Sequence, residues 1–254
     1  MARRVPEGPP PPPVVQRIRI RYAKRGRLRF TSHRDFARAF ERALRRAETP
    51  MAYSAGFTPH PKISYVGASP TGVASEAEYL EIGLAREVDV DELRAALDAA
   101  LPDGLDIVEA VLAGPGSLAD RMAASDWRIE LPGVSVGQAQ EAIDRFLAED
   151  EVLVERMTKS GRRQVDVRVA VITAAVSGAV SSTGDPSRAI IDLVVRQVTP
   201  TVRPDDVIAA LGIVAGLAPA APPQAVRRAQ GPLDTRNVIG DPLAADREHV
   251  TSPP

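Results

Sequence analysis

The chain contains no cysteine. Disulfides, thiolate nucleophiles and cysteine-held zinc or iron–sulfur clusters are therefore excluded from its own residues. Histidine is scarce: His33, His60 and His249 lie far apart, and none stands at the HExxH or HxH spacing that presents two imidazoles to one metal. Neither a metal nor any other cofactor is expected. Phosphate-cradling GxxxxGK and dinucleotide-binding GxGxxG patterns are also missing, so nucleotide hydrolysis and dinucleotide redox chemistry rank low, with hydrolase triads beside them. No stretch of about 18 consecutive apolar residues occurs, and the N-terminus is proline-rich where a signal peptide would be apolar. A cytoplasmic protein without membrane contact is expected.

What is present is unevenly distributed. The formal net charge of −1 conceals a segregation of sign. From Val14 to Lys62 there are thirteen Lys/Arg against three Asp/Glu, and from Ile63 to Met157 six against twenty. A basic segment of this density favours phosphate-rich partners, although charge speaks to association and not to fold. With 254 residues and 44% hydrophobic content, the chain is long enough to bury two modest cores.

The pattern along the chain predicts an α+β protein of two tandem ferredoxin-like (split βαβ) lobes with antiparallel sheets, flanked by disordered tails. Met1 to Pro13 reads as a polyproline arm. Residues 14–113 form the first lobe. Gln16 to Tyr22 alternates strictly, with Ile18, Ile20 and Tyr22 on one face and Arg17, Arg19 and Arg21 on the other. Lys24, Arg25, Gly26 and Arg27 make a basic turn. A helix starts near His33, capped by Ser32 with Asp35 three residues on. It has an apolar face of Phe36, Phe40, Ala43, Leu44 and Ala47, and an opposite stripe containing Arg34, Arg38 and Arg42 at four-residue steps; Glu41 is expected to pair with Arg45. Thr49 and Pro50 end it. A turn-rich loop follows, carrying Tyr53, Phe57 and His60, the last held extended between Pro59 and Pro61, and it leads through Lys62 into a strand. Another strand, a helix from Asp89 or Asp91 to Ala100, and a strand from Leu105 to Leu112 complete the unit. Residues 114–217 read as a degenerate second lobe whose last strand is uncertain, and 218–254 as a mostly disordered tail.

Ser32-His-Arg-Asp-Phe, the double arginine Arg45-Arg46, the loop Gly56-Phe-Thr-Pro-His-Pro-Lys62 and the strand Ala77-Glu-Tyr79 occur in this order. Together they resemble the bacterial radical-SAM-linked domain family of unknown function, over roughly Val15 to Val198. In that family the domain is often attached to a radical SAM domain carrying a cysteine-bound cluster. With no cysteine, this chain resembles a stand-alone form, which implies a radical SAM partner acting in trans. More distantly, tandem ferredoxin-like lobes with a basic first helix are similar to the repeat-associated RNA-processing proteins of CRISPR systems, an analogy of fold alone.

Three functions are weighed. The first is an RNA-binding accessory protein in RNA processing or modification. In it Arg17, Arg19, Arg21, Lys24, Arg25, Arg27, Arg34, Arg38, Arg42 and Lys62 neutralise phosphates, and Tyr53 and Phe57 stack on unpaired bases. The second is a metal-independent endoribonuclease with His33 or His60 as general base on a 2′-hydroxyl. The third is a protein-binding partner of a radical SAM enzyme or an RNA-processing enzyme. The RNA reading depends on the first strand and first helix sharing one surface, covered by an outside polyanion and not by the protein's own carboxylates.

Overall fold

The computed structural model describes residues 11–158, 161–178 and 188–251. The chain divides into two compact units, one comprising the chain to Asp120 together with the segment from Leu243, the other Arg121–Pro242.

In the first unit the alternating segment forms β1 (Gln16–Lys24), followed by a 3-10 turn at Gly26–Phe30 and helix α1 (His33–Arg46). The N-terminus of α1 is closed by Ser32, whose Oγ accepts from the Asp35 amide at 3.2 Å and donates to the Asp35 carboxylate at 2.6 Å, a cap that contributes about 1 kcal/mol. After the loop come β2 (Ile63–Val66), β3 (Ala74–Leu84), helix α2 (Val90–Ala100), capped by Asp89, and β4 (Leu105–Leu112). The strand order is β4-β1-β3-β2, antiparallel throughout. Because side chains alternate across a strand, Ile18, Ile20 and Tyr22 all enter one core, where they meet Phe36, Phe40 and Leu44 of α1 and Leu93 and Leu97 of α2. Both helices therefore cover the same sheet face. Tyr22 stacks on Phe36 with centroids 4.2 Å apart. The turn into β4 needs glycine: Gly104 has φ +91°, and its carbonyl accepts from the Arg25 amide at 2.8 Å. A Cβ there would lie 3.1 Å from the Arg25 carbonyl oxygen.

In the second unit β5 (Ala124–Pro132) leads into α3 (Val136–Ala148), whose capping box joins Ser135 and Gln138. A separate hairpin, β6 (Leu153–Thr158) and β7 (Gly161–Asp166), precedes β8 (Val171–Gly178), β9 (Arg188–Arg196), α4 (Pro204–Ala215) and β10 (Gln224–Gly231). The order is β10-β5-β9-β8, again antiparallel. Ile129, Leu131, Ile143, Phe146, Ile191, Leu193, Val207 and Leu211 are buried in this unit. A 3-10 turn at Arg168–Ala170 separates β7 from β8.

The expectation of a mostly disordered tail from Ala218 is corrected. β10 pairs with β5 from Gln224↔Glu130 to Gly231↔Ala124, and α5 (Ala244–Thr251) belongs to the first unit. Two arginines in the interior of β10 are tolerated because neighbours complement them. Arg228 pairs with Asp126 at 2.7 Å and Asp192 at 2.9 Å, and Arg227 lies over the Trp127 ring at 5.4 Å. At the other end, residues 11–13 of the polyproline arm are in no regular element, and the rest of the arm lies outside the described residues.

Candidate functional site

The cations singled out in the first unit fall into two groups. Those of β1, with Arg25 of the following turn, are bound from within the unit. Arg17 Nη1 donates to Glu81 Oε1 at 3.0 Å, and Arg19 Nε donates to Glu81 Oε2 at 3.0 Å. Arg19 Nη1 reaches Asp246 Oδ1 of α5 at 2.6 Å. Arg21 Nε donates to the Glu76 carbonyl at 2.8 Å, and Lys24 Nζ to the Pro70 carbonyl at 3.3 Å. Arg25 is held by Glu76 and Asp106, and its hydrogen bond to Glu76 raises its pKa above the ordinary arginine value. Moreover, β1 turns Ile18, Ile20 and Tyr22 toward the helices, so Arg17, Arg19 and Arg21 point from the opposite sheet face. The expectation that strand and helix arginines share one surface is thus corrected: the strand row is an internal ion network that fastens β3 and α5 to β1.

The α1 group differs. Among the described residues Arg34, Arg42 and Arg45 have no hydrogen-bond or ion-pair partner, and Arg38 has only Asp35 at 3.9 Å, with both side chains more than 60% exposed. At 3.6 residues per turn Arg34, Arg38, Arg42 and Arg45 occupy about a quarter of the helix circumference, opposite Phe36, Phe40 and Ala43. Glu41 makes no ion pair with Arg45, contrary to expectation. Arg27 and Lys62 are exposed and likewise without side-chain partners among the described residues.

The loop after α1 is a built structure. Ala52 N donates to Gly83 O at 2.8 Å, Lys62 N to Ala52 O at 2.8 Å and Ser54 N to His60 O at 2.9 Å, while Ser54 Oγ accepts from His60 N at 3.1 Å. Tyr53 bridges to Pro61. These bonds extend the sheet edge and leave the tip projecting, with Phe57 70% and Tyr53 42% exposed. Neither ring plugs the core. Between this loop and α1 lies a cleft of about 220 Å³, lined by Glu41, Leu44, Arg45, Thr49, Tyr53 and His60 among others. The Thr49 hydroxyl is buried without a partner, as is that of Tyr65. Burial first, and then the charge of Glu41, push the Tyr65 phenol well above its ordinary pKa.

The two candidate general bases have different surroundings. His60 lines the cleft, whereas the His33 ring sits edge-on against Tyr65, with centroids 4.8 Å apart. No group of three or more metal-ligating side chains occurs among the described residues, and no helix there is long and apolar enough to cross a membrane. Gly133-Val-Ser-Val-Gly137 has the GxSxG spacing at a strand-to-helix turn. Its Ser135 hydroxyl is engaged with Gln138 in the cap of α3, and all three histidines belong to the other unit. Ser135 has no histidine within its own unit. The sequence reading missed Glu41, Arg45 and Thr49 as cleft residues. It also missed Glu76, Glu81 and Asp246 as partners of the strand arginines; for Glu81 the available signal was the antiparallel pairing that sets it opposite Arg19.

Fold and site define a mixed α+β protein with mostly antiparallel strands and, in its first unit, a cleft whose lining includes one arginine, Arg45, of the exposed α1 stripe. The chain belongs to the family described as "Uncharacterized protein conserved in bacteria (DUF2344)", whose model matches residues 17–204. No curated protein matches it. Among solved structures it is similar to an unknown protein from Galdieria sulphuraria, with 14% identity over 78% of this chain and 91% of that chain, at a TM-score of 0.24, too low to carry a structural argument.

Proposed function

We propose, on narrower ground than the shared surface that the RNA reading first required, that the protein is a cytoplasmic RNA-binding accessory protein whose contact surface excludes the strand arginines, which are held from within, and consists of the outer stripe of α1 together with the loop that follows it. The observation that carries this reading is a contrast within one unit. Arg17 and Arg19 of β1 meet the protein's own carboxylates and Arg21 a backbone carbonyl, whereas in the stripe of α1 Arg34, Arg42 and Arg45 have no hydrogen-bond or ion-pair partner among the described residues and Arg38 has only the exposed Asp35 at 3.9 Å. Like charges at four-residue spacing destabilise a helix slightly, by a few tenths of a kcal/mol per pair on the order of magnitude, and a polyanion removes that repulsion. The exposed rings of Phe57 and Tyr53 beside this stripe suit unstacked bases, which single-stranded RNA offers and duplex DNA does not.

The strand orders β4-β1-β3-β2 and β10-β5-β9-β8, with helices following β1 and β3 in one unit and β5 and β9 in the other, support two tandem ferredoxin-like units, the hairpin β6–β7 being an insertion in the second. The resemblance to radical-SAM-linked domains extends the proposal to an enzyme partner in trans that acts on the bound RNA.

The test is the affinity for single-stranded RNA across a salt series. Each neutralised phosphate contributes about −0.7 to the slope of log K against log salt, so four guanidinium contacts give roughly −3. Arg34→Glu with Arg38→Glu is expected to weaken binding and to reduce that slope by about 1.4. An unchanged slope, or no binding by the unaltered protein, refutes the proposal.

A further inference from the structure

We infer that the cleft between α1 and the loop is a base pocket selective for guanine, a conclusion that rests on the RNA reading and names the nucleotide its surface prefers. The cleft, at about 220 Å³, is below the roughly 300–1,000 Å³ of sites for drug-sized ligands, which suits one planar ring and not an extended molecule. Tyr53 and His60 are both among its lining residues, and two hydrogen bonds, Ser54 N to His60 O and His60 N to Ser54 Oγ, fix the loop backbone that carries them. A base entering the cleft meets these rings and can stack on one of them.

The polar groups decide which base. Glu41 lines the cleft with no hydrogen-bond or ion-pair partner among the described residues, and an ionised carboxylate only accepts hydrogen bonds. Guanine alone presents two adjacent donors, N1–H and the N2 amino group, on its Watson–Crick edge. Adenine and cytosine set a ring-nitrogen acceptor beside their amino group, and uracil sets carbonyl acceptors on both sides of its single N–H; each turns an acceptor toward the carboxylate. The buried Thr49 hydroxyl, also unpartnered, is available to a further acceptor or donor of the bound ring. Arg45, which belongs both to this cleft and to the arginine stripe, is positioned to take the phosphate of the same nucleotide, so that the pocket and the stripe are continuous.

Short oligouridine probes carrying one central guanosine, adenosine or cytidine test the inference by direct binding measurements. The guanosine probe is expected to bind about ten- to a hundredfold more tightly than the others, as for a good bidentate base contact. Glu41→Gln should bring the ratio of guanosine-probe to plain-oligouridine affinity down to about one, whatever the loss of a negative charge does to both affinities, and an unchanged urea midpoint shows that the variant is folded. Equal affinity for all probes, or a guanosine preference that survives Glu41→Gln, overturns the guanine pocket and leaves RNA binding standing. Failure of every probe to bind overturns both.

Discussion

The Arg19–Asp246 pair gives the most demanding test of how the first unit is held together. Both side chains are almost wholly buried, at 2% and 0% exposure, and their contact of 2.6 Å joins β1 to α5 across 227 positions of sequence. Asp246 also accepts from the Gly114 amide at 2.9 Å, and Arg19 keeps a second carboxylate, Glu81, at 3.0 Å. Breaking a buried pair by removing one partner costs about 3–5 kcal/mol, because the other charge is left desolvated. For Asp246→Leu the lower end, about 3 kcal/mol, is expected, since Glu81 still compensates Arg19. That is a large share of the roughly 5–15 kcal/mol that holds a typical domain folded. The double variant Arg19→Met with Asp246→Leu should recover most of the loss, because an apolar pair of similar volume removes both desolvation penalties. Urea unfolding followed by circular dichroism, with amide hydrogen exchange in β4 and α5 as the local readout, measures the cycle. Losses below about 1 kcal/mol for the single variant, or a double variant no better than the sum of the singles, would refute a buried clamp.

Substitutions at three further positions test the first unit. Phe57→Ala should weaken single-stranded RNA binding by about 1–3 kcal/mol, the worth of one stacked base, and leave the unfolding midpoint unchanged, as the ring is 70% exposed; titration and urea melts check both. Tyr65→Phe removes a buried hydroxyl that has no partner and should be neutral or stabilise by up to about 1 kcal/mol in urea melts. Because the folded-state pKa of Tyr65 is raised, its share of stability is intact below the ordinary tyrosine pKa and is lost as pH rises beyond it; ultraviolet titration should show one late-ionising tyrosine that Tyr65→Phe abolishes. Gly104→Ala, at φ +91° and against the Arg25 carbonyl, should cost more than about 1 kcal/mol, read as a lower unfolding midpoint.

Much of the first unit was legible because its pattern is local. The Ser32 cap, the apolar face of α1 and the alternation of β1 each sit in a few consecutive residues and reappear as a cap, a packed face and a paired strand. β10 was not legible, because Gln-Ala-Val-Arg-Arg-Ala-Gln-Gly carries no alternation of its own and becomes a strand only where Asp126, Asp192 and Trp127 on neighbouring strands receive its arginines. α5 was hidden for the same reason: its anchoring residue, Asp246, takes its meaning from Arg19. The cleft was missed because Glu41, Arg45 and Thr49 meet Tyr53 and His60 only after the loop folds back along the sheet edge.

The separation of the two arginine rows was implicit in the alternation that predicted them. If Ile18, Ile20 and Tyr22 face a core closed by α1, then Arg17, Arg19 and Arg21 must leave the sheet on the far side, and no rotation of α1 about its axis brings Arg34 or Arg38 to them. A count of basic residues treats both rows as one patch; the two-residue period of a strand and the outward stripe of a helix divide them. The strand row is then free to serve stability, and it meets carboxylates on β3 and α5. The helix row meets none beyond Asp35 at 3.9 Å and keeps its charge for a partner outside the chain. Reversing charge in the two rows should therefore have opposite signatures: loss of folding with RNA affinity per folded molecule retained for β1, and loss of affinity with the fold retained for α1.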